Sequence, residues 1–260
     1  AVGYATLSGN TSGCCSIGVG SAALYANTTG SDNIGIGYYA LATNTTSTGN
    51  IGIGHQALYL TTGAGNTAVG RVAGYDVTTG ENNIFIGRDA GRSGSPGGAV
   101  TTGSNQVCIG DENVANVHAQ VVLSAASDKR DKNDIEPLTL GLEFINQLEP
   151  VTYRWDKRTK YINKSHLSLE PDDPDFVDLN DVVHDGTHTE PQLHAGLLAQ
   201  DIEEVEQAYG FDKEDLTNLI TQLSNDGKQY SLTYTRFVPM LVKAVQELSA
   251  EVEELKSKLE

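Results

Sequence analysis

The chain has 260 residues, enough for one large domain or two ordinary ones, and its 17 basic against 34 acidic side chains leave a formal charge of −17. A phosphate backbone requires a clustered Lys/Arg face, and the only basic stretch, Arg154 to Lys164, is diluted by acidic surroundings, so nucleic acid and anionic membranes are disfavoured as partners. No run of about 18 apolar residues is present to span a bilayer, no basic start leads into an apolar signal core, and the first residue, Ala1, is not Met, so a piece of a longer protein is expected.

Composition shifts abruptly near residue 126. Residues 1–126 hold 23 of the 28 glycines, one of the seven prolines, three basic and six acidic residues, which leaves 14 basic and 28 acidic residues, or −14, for the rest. Such asymmetry marks separate domains, expected at 1–126, 127–233 and 234–260. Within the first, glycines that close an apolar tetrad recur at Gly3, Gly20, Gly37, Gly54, Gly70, Gly87 and Gly110, spaced 17, 17, 17, 16, 17 and 23 residues apart. Each unit runs from an Asn (Asn33, Asn50, Asn66, Asn83) through a short strand such as Ile34 to Gly37. An Ala stands three residues after the glycine (Ala23, Ala40, Ala57, Ala73, Ala90), and Thr-Thr-Gly makes turns at Thr28, Thr61 and Thr78. The 23-residue interval carries an insertion, Arg92 to Val100, with Pro96.

Seventeen residues are too few for a βαβ unit, which needs about 30, so the repeat is strand and turn only. One unit buries little, and stacking along an axis is the solenoid solution. Glycine at alternate strand positions predicts a thin interior, most easily completed by two further chains. Asn-Ile-Gly-Ile-Gly-x-x-Ala-Leu, as at Asn33 to Leu41 and Asn50 to Leu58, resembles bacteriophage tail-fibre repeats at this spacing and is similar to the left-handed β-roll of trimeric autotransporter adhesin heads. The resemblance implies a trimeric left-handed β-roll, with irregular rungs expected at Thr67 to Gly70 and after Gly91.

Several local signals have bland readings. Gly18 to Ala23, Gly35 to Ala40 and Gly52 to Ala57 fit a dinucleotide fingerprint, but the spacing leaves no room for the helix that motif needs, so no cofactor is expected. Asn10, Asn27, Asn44 and Asn163 begin N-x-S/T sequons, and turn chemistry accounts for the three that keep step with the repeat. Cys14 and Cys15 are neighbours, where a disulfide would be strained, and Cys108 sits at an apolar strand position, so all three are read as reduced small hydrophobes. His184, His188 and His194 with Asp185 and Glu190 hold metal-ligand residue types, but Gly186 and Pro191 make a loop, and no metal is expected. Asp172 to Asp181 lacks the glycine and spaced glutamate of a calcium loop.

In the second half, Leu140, Phe144, Ile145 and Leu148 predict a short amphipathic helix ended by Pro150. Val151 to Trp155 alternates as a strand, His194 to Gln200 reads as a buried strand leading into a helix over Asp201 to Gln207, and Tyr230 to Tyr234 alternates again: an α+β domain. At the C-terminus Tyr234, Val238, Leu241, Val245, Leu248, Val252, Leu255 and Leu259 keep a 4,3 spacing. That is a heptad, predicting a coiled coil about 40 Å long, with Pro239 tolerated in the first turns.

At the junction stand Ala125, Ala126, Ser127, Asp128, Lys129, Arg130, Asp131 and Lys132. Alone they read as a charged linker, and Ser127 and Lys132 would lie ~140° apart on a helix, meeting only in an extended or turning segment. Ser127-Asp128-x-Arg130-x-Lys132, Gly141-Leu142 with Phe144-Ile145-x-x-Leu148-x-Pro150-Val151-x-Tyr153-x-Trp155, His194-x-Gly196-Leu197-Leu198-Ala199-Gln200-Asp201-Ile202, and Ser231-Leu232-x-Tyr234 running into the heptads resemble the C-terminal intramolecular chaperone domain of endosialidases and other phage tail fibres. Lys164 to Glu190 reads as an insertion relative to that pattern.

The resemblance implies a domain that helps a homotrimeric virion fibre to fold and then cuts itself off, a single-turnover serine peptidase. Carried onto this chain, it implies cleavage of Ala126–Ser127, with Ser127 as nucleophile, Lys132 as base, and Asp128 and Arg130 as supporting residues that hold the turn. The chemistry is reasonable, because serine needs a proton acceptor and a lysine supplies one when burial favours its neutral form. A repeat slipped by one rung restores most contacts, so register needs an outside anchor, which joined C-terminal domains provide. The alternative is a receptor-binding adhesin or fibre tip, in which the repeats recognise a host glycan or protein and the C-terminal domain serves assembly only. Its candidates are Tyr25, Tyr38, Tyr39, Tyr59 and Tyr75, whose periodic placement favours packing instead. A multiple-turnover hydrolase lacks a carboxylate pair, nucleophile elbow or metal cluster.

Overall fold

The computed structural model describes residues 1–95, 97–114, 116–118, 125–162, 173–212, 217–224 and 226–259. Pro96, the Asn163 sequon and the head of the acidic insertion, through Asp172, lie outside the described residues. The glycine period becomes a parallel solenoid. Its six strands of three residues are β1 (Ile17–Val19), β2 (Ile34–Ile36), β3 (Ile51–Ile53), β4 (Thr67–Val69), β5 (Ile84–Ile86) and β6 (Val107–Ile109), stacked in chain order. Ile17, Ile34, Ile51, Thr67, Ile84 and Val107 align in one register, as do Gly18, Gly35, Gly52, Ala68, Phe85 and Cys108. Rungs expected to be irregular are in step: β4 keeps the register, and the 23-residue interval loops out its extra residues without shifting β6.

The period glycine is forced by rung spacing. Gly54 has φ +138°, and a Cβ there would lie 2.2 Å from the Gly70 carbonyl oxygen of the next rung. Turn residues two and four positions on, Tyr39 and Leu41 in one rung and Gln56 and Leu58 in the next, are non-glycine and left-handed at φ 52–55°. Each such residue costs about 1 kcal/mol. The conformation aims Leu41 N–H at the Ala57 carbonyl and Leu58 N–H at that of Ala73, both at 3.0 Å.

A second ladder is made of buried asparagines. Oδ1 of Asn33, Asn50, Asn66 and Asn83 accepts from the N–H of Asn50, Asn66, Asn83 and Gln106 at 2.9–3.0 Å, and the same four amides donate to the carbonyls of Ser47, Gly63, Gly80 and Gly103 at 2.8–2.9 Å. Buried amides left unpaired would be costly, so each rung needs the next. Asn27 and Asn44 are buried turn-closers that donate to Gly30 and Ser47 carbonyls.

Side chains of the same chain fill the interior that the glycines made look thin. Leu24, Leu41 and Leu58 reach in from the turns, Leu24 over Gly35 and Leu41 over Gly52. Where the strand carries Phe85, the turns shrink instead: a Cβ on Gly74 or Gly91 would meet the Phe85 ring at 2.7 or 2.3 Å. Bulk is exchanged between strand and turn at constant volume, so one chain fills itself. The unpartnered apolar surface lies outside. Ile17, Val19, Ile36, Ile53, Val69, Ile84, Ile86, Val107 and Ile109 are all exposed on the sheet's outer face. Of the cysteines only Cys108 is buried; Cys14 and Cys15 are exposed and free, not core hydrophobes. The Cys14 thiol donates to Ser31 Oγ at 3.6 Å, and this contact lowers the thiol's pKa.

The remaining elements are α1 (Leu142–Ile145), β7 (Val151–Tyr153), β8 (His194–Gly196), α2 (Ala199–Ala208), β9 (Thr221–Leu223), β10 (Tyr230–Leu232) and α3 (Phe237–Leu259), with single 3-10 turns at Lys129–Asp131, Arg158–Tyr161, Leu179–Asp181 and Tyr234–Arg236. β7 pairs antiparallel with β8, and β9 with β10. The first helix is shorter than its apolar spacing suggested, Trp155 falls outside β7, and β8 is half-buried rather than buried. Leu140, Phe144, Ile202, Ile220, Phe237 and Met240 form the second core. No helix among the described residues is long and apolar enough to cross a membrane.

Two compact units result, and neither is continuous in sequence. One comprises Ala1–Val114, Trp155–Pro191 and Leu223–Gln229; the other comprises Ala115–Arg154, Gln192–Gln222 and Tyr230–Glu260.

Candidate functional site

Ser127 and Lys132 come together because the chain between them makes one tight turn. Asp128 is extended (φ −68°, ψ 131°) and caps the 3-10 turn Lys129–Asp131, accepting from Arg130 N–H at 2.9 Å. Lys132 leaves it extended again at φ −118°, ψ 140°, with its N–H bonded to the Lys129 carbonyl. A 3-10 turn is tighter than an α-helical one, so the lysine folds back over the serine. Lys132 Nζ donates to Ser127 Oγ at 2.7 Å. The same separation serves O–H···N once the amine is neutral, since a hydroxyl both donates and accepts.

Asp128 and Arg130 stabilise that turn. The Arg130 guanidinium grips the Asp128 carboxylate through Nε at 3.1 Å and Nη2 at 2.6 Å. It holds the Asp128 carboxyl below the usual range, and the carboxylate in turn raises the Arg130 pKa. Asp128 therefore stays ionised through weakly acid conditions. Residues 125–132 are exposed in the single chain, Ala126 included.

The other candidates separate. His184 stacks on the Tyr161 ring, 5.8 Å between centroids, His188 meets its edge at 4.7 Å, and Tyr161 Oη donates to Asp156 at 2.9 Å. His194 stacks instead on Tyr153. Among the described residues no group of three or more His, Cys, Asp or Glu could hold a metal ion. The repeat's aromatics pack on one another: Tyr59 and Tyr75 stack at 5.1 Å and 5°, Tyr39 lies 5.9 Å from Tyr59, and Arg92 covers Tyr75. Tyr25 and Tyr38 are exposed.

Sequence reasoning missed two carboxylates that hold this region. Buried Glu206 on α2 accepts from Leu219 N–H and Ile220 N–H at 2.7 Å and from Thr221 N–H at 3.1 Å, fixing the chain into β9. Its signal was an acidic residue four places after Ile202, on the apolar face of the helix. Glu247 on α3 accepts from Leu142 N–H at 2.7 Å, the open N-terminus of α1, and pairs with Lys243. These two contacts, the Leu142 amide first, lower its pKa.

Residues 127–214 match the family model of Peptidase_S74, described as the chaperone of endosialidase, and the match begins on the serine that Lys132 contacts. No curated protein and no solved structure matches the chain. The protein therefore carries an endosialidase-type chaperone domain behind a parallel β-solenoid. That domain supports a role in assembly as a chaperone.

Proposed function

We propose that the chain is the C-terminal part of a phage tail fibre, that its chaperone domain gathers three copies, and that it then severs its own backbone at Ala126–Ser127. The observation that carries this reading is the 2.7 Å contact between Lys132 Nζ and Ser127 Oγ at the first residue of the family match. Ser127 Oγ attacks the Ala126 carbonyl carbon while Lys132 takes the hydroxyl proton and passes it to the departing Ser127 nitrogen. The peptide bond becomes an ester on Ser127. Water then opens it, leaving a carboxylate on Ala126 and a free amine on Ser127.

An amine accepts that proton only when neutral, and burial favours the neutral form. Both side chains are exposed in one chain, so exclusion of water falls to neighbouring copies. Processing would then report completed assembly. Two surfaces support a homotrimer. The outer Ile and Val columns repeat at the strand spacing, and the surface that matches such a period along its whole length is another copy of itself. On α3, Phe237, Met240 and Ala244 face the domain's own core, while Val238, Leu241, Val245, Leu248, Val252, Leu255 and Leu259 remain exposed. The heptad seam is thus unused within one chain, as a coiled coil requires.

On a denaturing gel the wild-type chain should run as two fragments of 126 and 134 residues, which together make the 260. Ser127→Ala should remain whole. Lys132→Arg, which keeps the charge and removes the base, should also remain whole. A single band for wild type, or two for either variant, rejects the reading.

A further inference from the structure

The 23-residue interval between Gly87 and Gly110 is the one feature of the repeat that its ladder does not need. Its described extra residues loop off the rung, and yet Ser93, Ser95, Ala99 and Val100 are buried. Chain from beyond the Ala126–Ser127 bond packs on this loop. Gln229 Nε2 donates to the Ser93 carbonyl at 2.7 Å, and Ala99 N–H donates to Asp226 Oδ2 at 3.1 Å. The approach is close, since a Cβ on Gly98 would stand 2.6 Å from Asp226 Oδ1 and 2.7 Å from Ser224 Cβ.

A second arm meets the end of the last rung. Lys157 Nζ donates to the Glu112 carbonyl and Lys160 Nζ to Asn113 Oδ1, with Thr159 and Ile162 buried between. Arg158 ties the arms together, donating to the Leu179 carbonyl at 3.1 Å, to Asn180 Oδ1 at 3.2 Å and to the Lys228 carbonyl. The repeat and both arms accordingly belong to one compact unit, although the Ala126–Ser127 bond separates them in sequence.

We infer that the Arg92–Val100 insertion, with Glu112 and Asn113, is a docking surface for the arms at 155–162 and 223–229, and that the C-terminal fragment stays on the shaft after the backbone is cut. The inference rests on the processing proposed above. Cutting removes the high effective concentration that the covalent link supplied, but none of the buried contacts. Where the heptad helices keep three C-terminal fragments joined, their three docks act together, and release of the joined fragments would need all three to open.

The test separates retention from self-cleavage. In a Ser127→Ala chain, a recognition sequence for a site-specific protease is inserted after Asn116, so the link is cut whether or not the protein processes itself. Size-exclusion chromatography under native conditions, with each fraction run on a denaturing gel, should show both fragments eluting together. Gln229→Ala combined with Lys157→Ala should weaken the association about tenfold or more, while circular dichroism of the variant stays that of the folded chain. Fragments that separate without the substitutions overturn retention. Co-elution undiminished in the double variant overturns the assignment of the surface to these arms. Whether the wild type cuts itself is read in its own lane, so the two failures are distinguishable.

Discussion

The solenoid and the chaperone region are stabilised in opposite ways. In the solenoid one contact set recurs at each rung: an asparagine amide bridging to the next rung, a left-handed turn residue donating to the next alanine, a leucine over a glycine. In the chaperone region the decisive contacts occur once: Glu206 on β9, Glu247 on α1, and Tyr234 Oη accepting Leu197 N–H. Recurrent contacts are cheap to encode but degenerate, because a slip of one rung between chains restores most of them. Contacts made once have one solution. The difference teaches where register is stored: in the irregular region and, inside the repeat, at its C-terminal rungs. There Phe85 fits only between Gly74 and Gly91. Rungs near Gly18, Gly35 and Gly52 are interchangeable; the rung of Phe85 is not.

Phe85→Ala should be the most costly single change, about 4 kcal/mol, because its neighbouring glycines cannot fill the void; a chemical denaturation midpoint reads it. Glu206→Ala should cost about 3 kcal/mol, with three backbone N–H groups left without their acceptor. It should loosen the chaperone region, read as faster amide exchange at Leu219 to Thr221, and leave exchange in the rungs unchanged. Equal loss in both regions would erase the distinction drawn here. Asn50→Ala should cost about 2 kcal/mol, leaving the Asn66 N–H and the Gly63 carbonyl unpaired. Asn66→Ala should match it within about 0.5 kcal/mol, since their rungs make the same contacts, and a large inequality would break the claim of equivalence.

The smallest effect concerns pH. Glu247 has its pKa lowered by the Leu142 amide and Lys243. Its contribution is therefore complete above the pKa of a free glutamate and is lost as pH falls through the folded value. Packing of α1 on α3 should loosen on acidification, seen as chemical-shift changes at Leu142, and Glu247→Gln should flatten that response.

The periodic half was the more legible. Glycine spacing located all six strands, because a backbone that passes within van der Waals distance of its neighbour excludes a Cβ wherever it occurs. How the interior filled was not legible: a glycine in a strand looks like missing volume until the turn leucine above it is placed. In the other half α3 was evident from its heptads, whereas β9 is three residues of no marked alternation, held by a carboxylate 15 residues earlier in sequence. For Ser127 and Lys132 the spacing excluded a meeting on a helix and left an extended or a turning segment. The Asp128-x-Arg130 pair that builds this turn was visible in sequence, but its hydrogen bonds were not.

Native mass spectrometry of the wild-type chain, followed by denaturation in the same instrument, tests the central claim most directly. The account predicts a native mass of three copies that resolves on denaturation into fragments of 126 and 134 residues, the larger beginning at Ser127. A monomer, or an intact 260-residue chain from a native trimer, would contradict it.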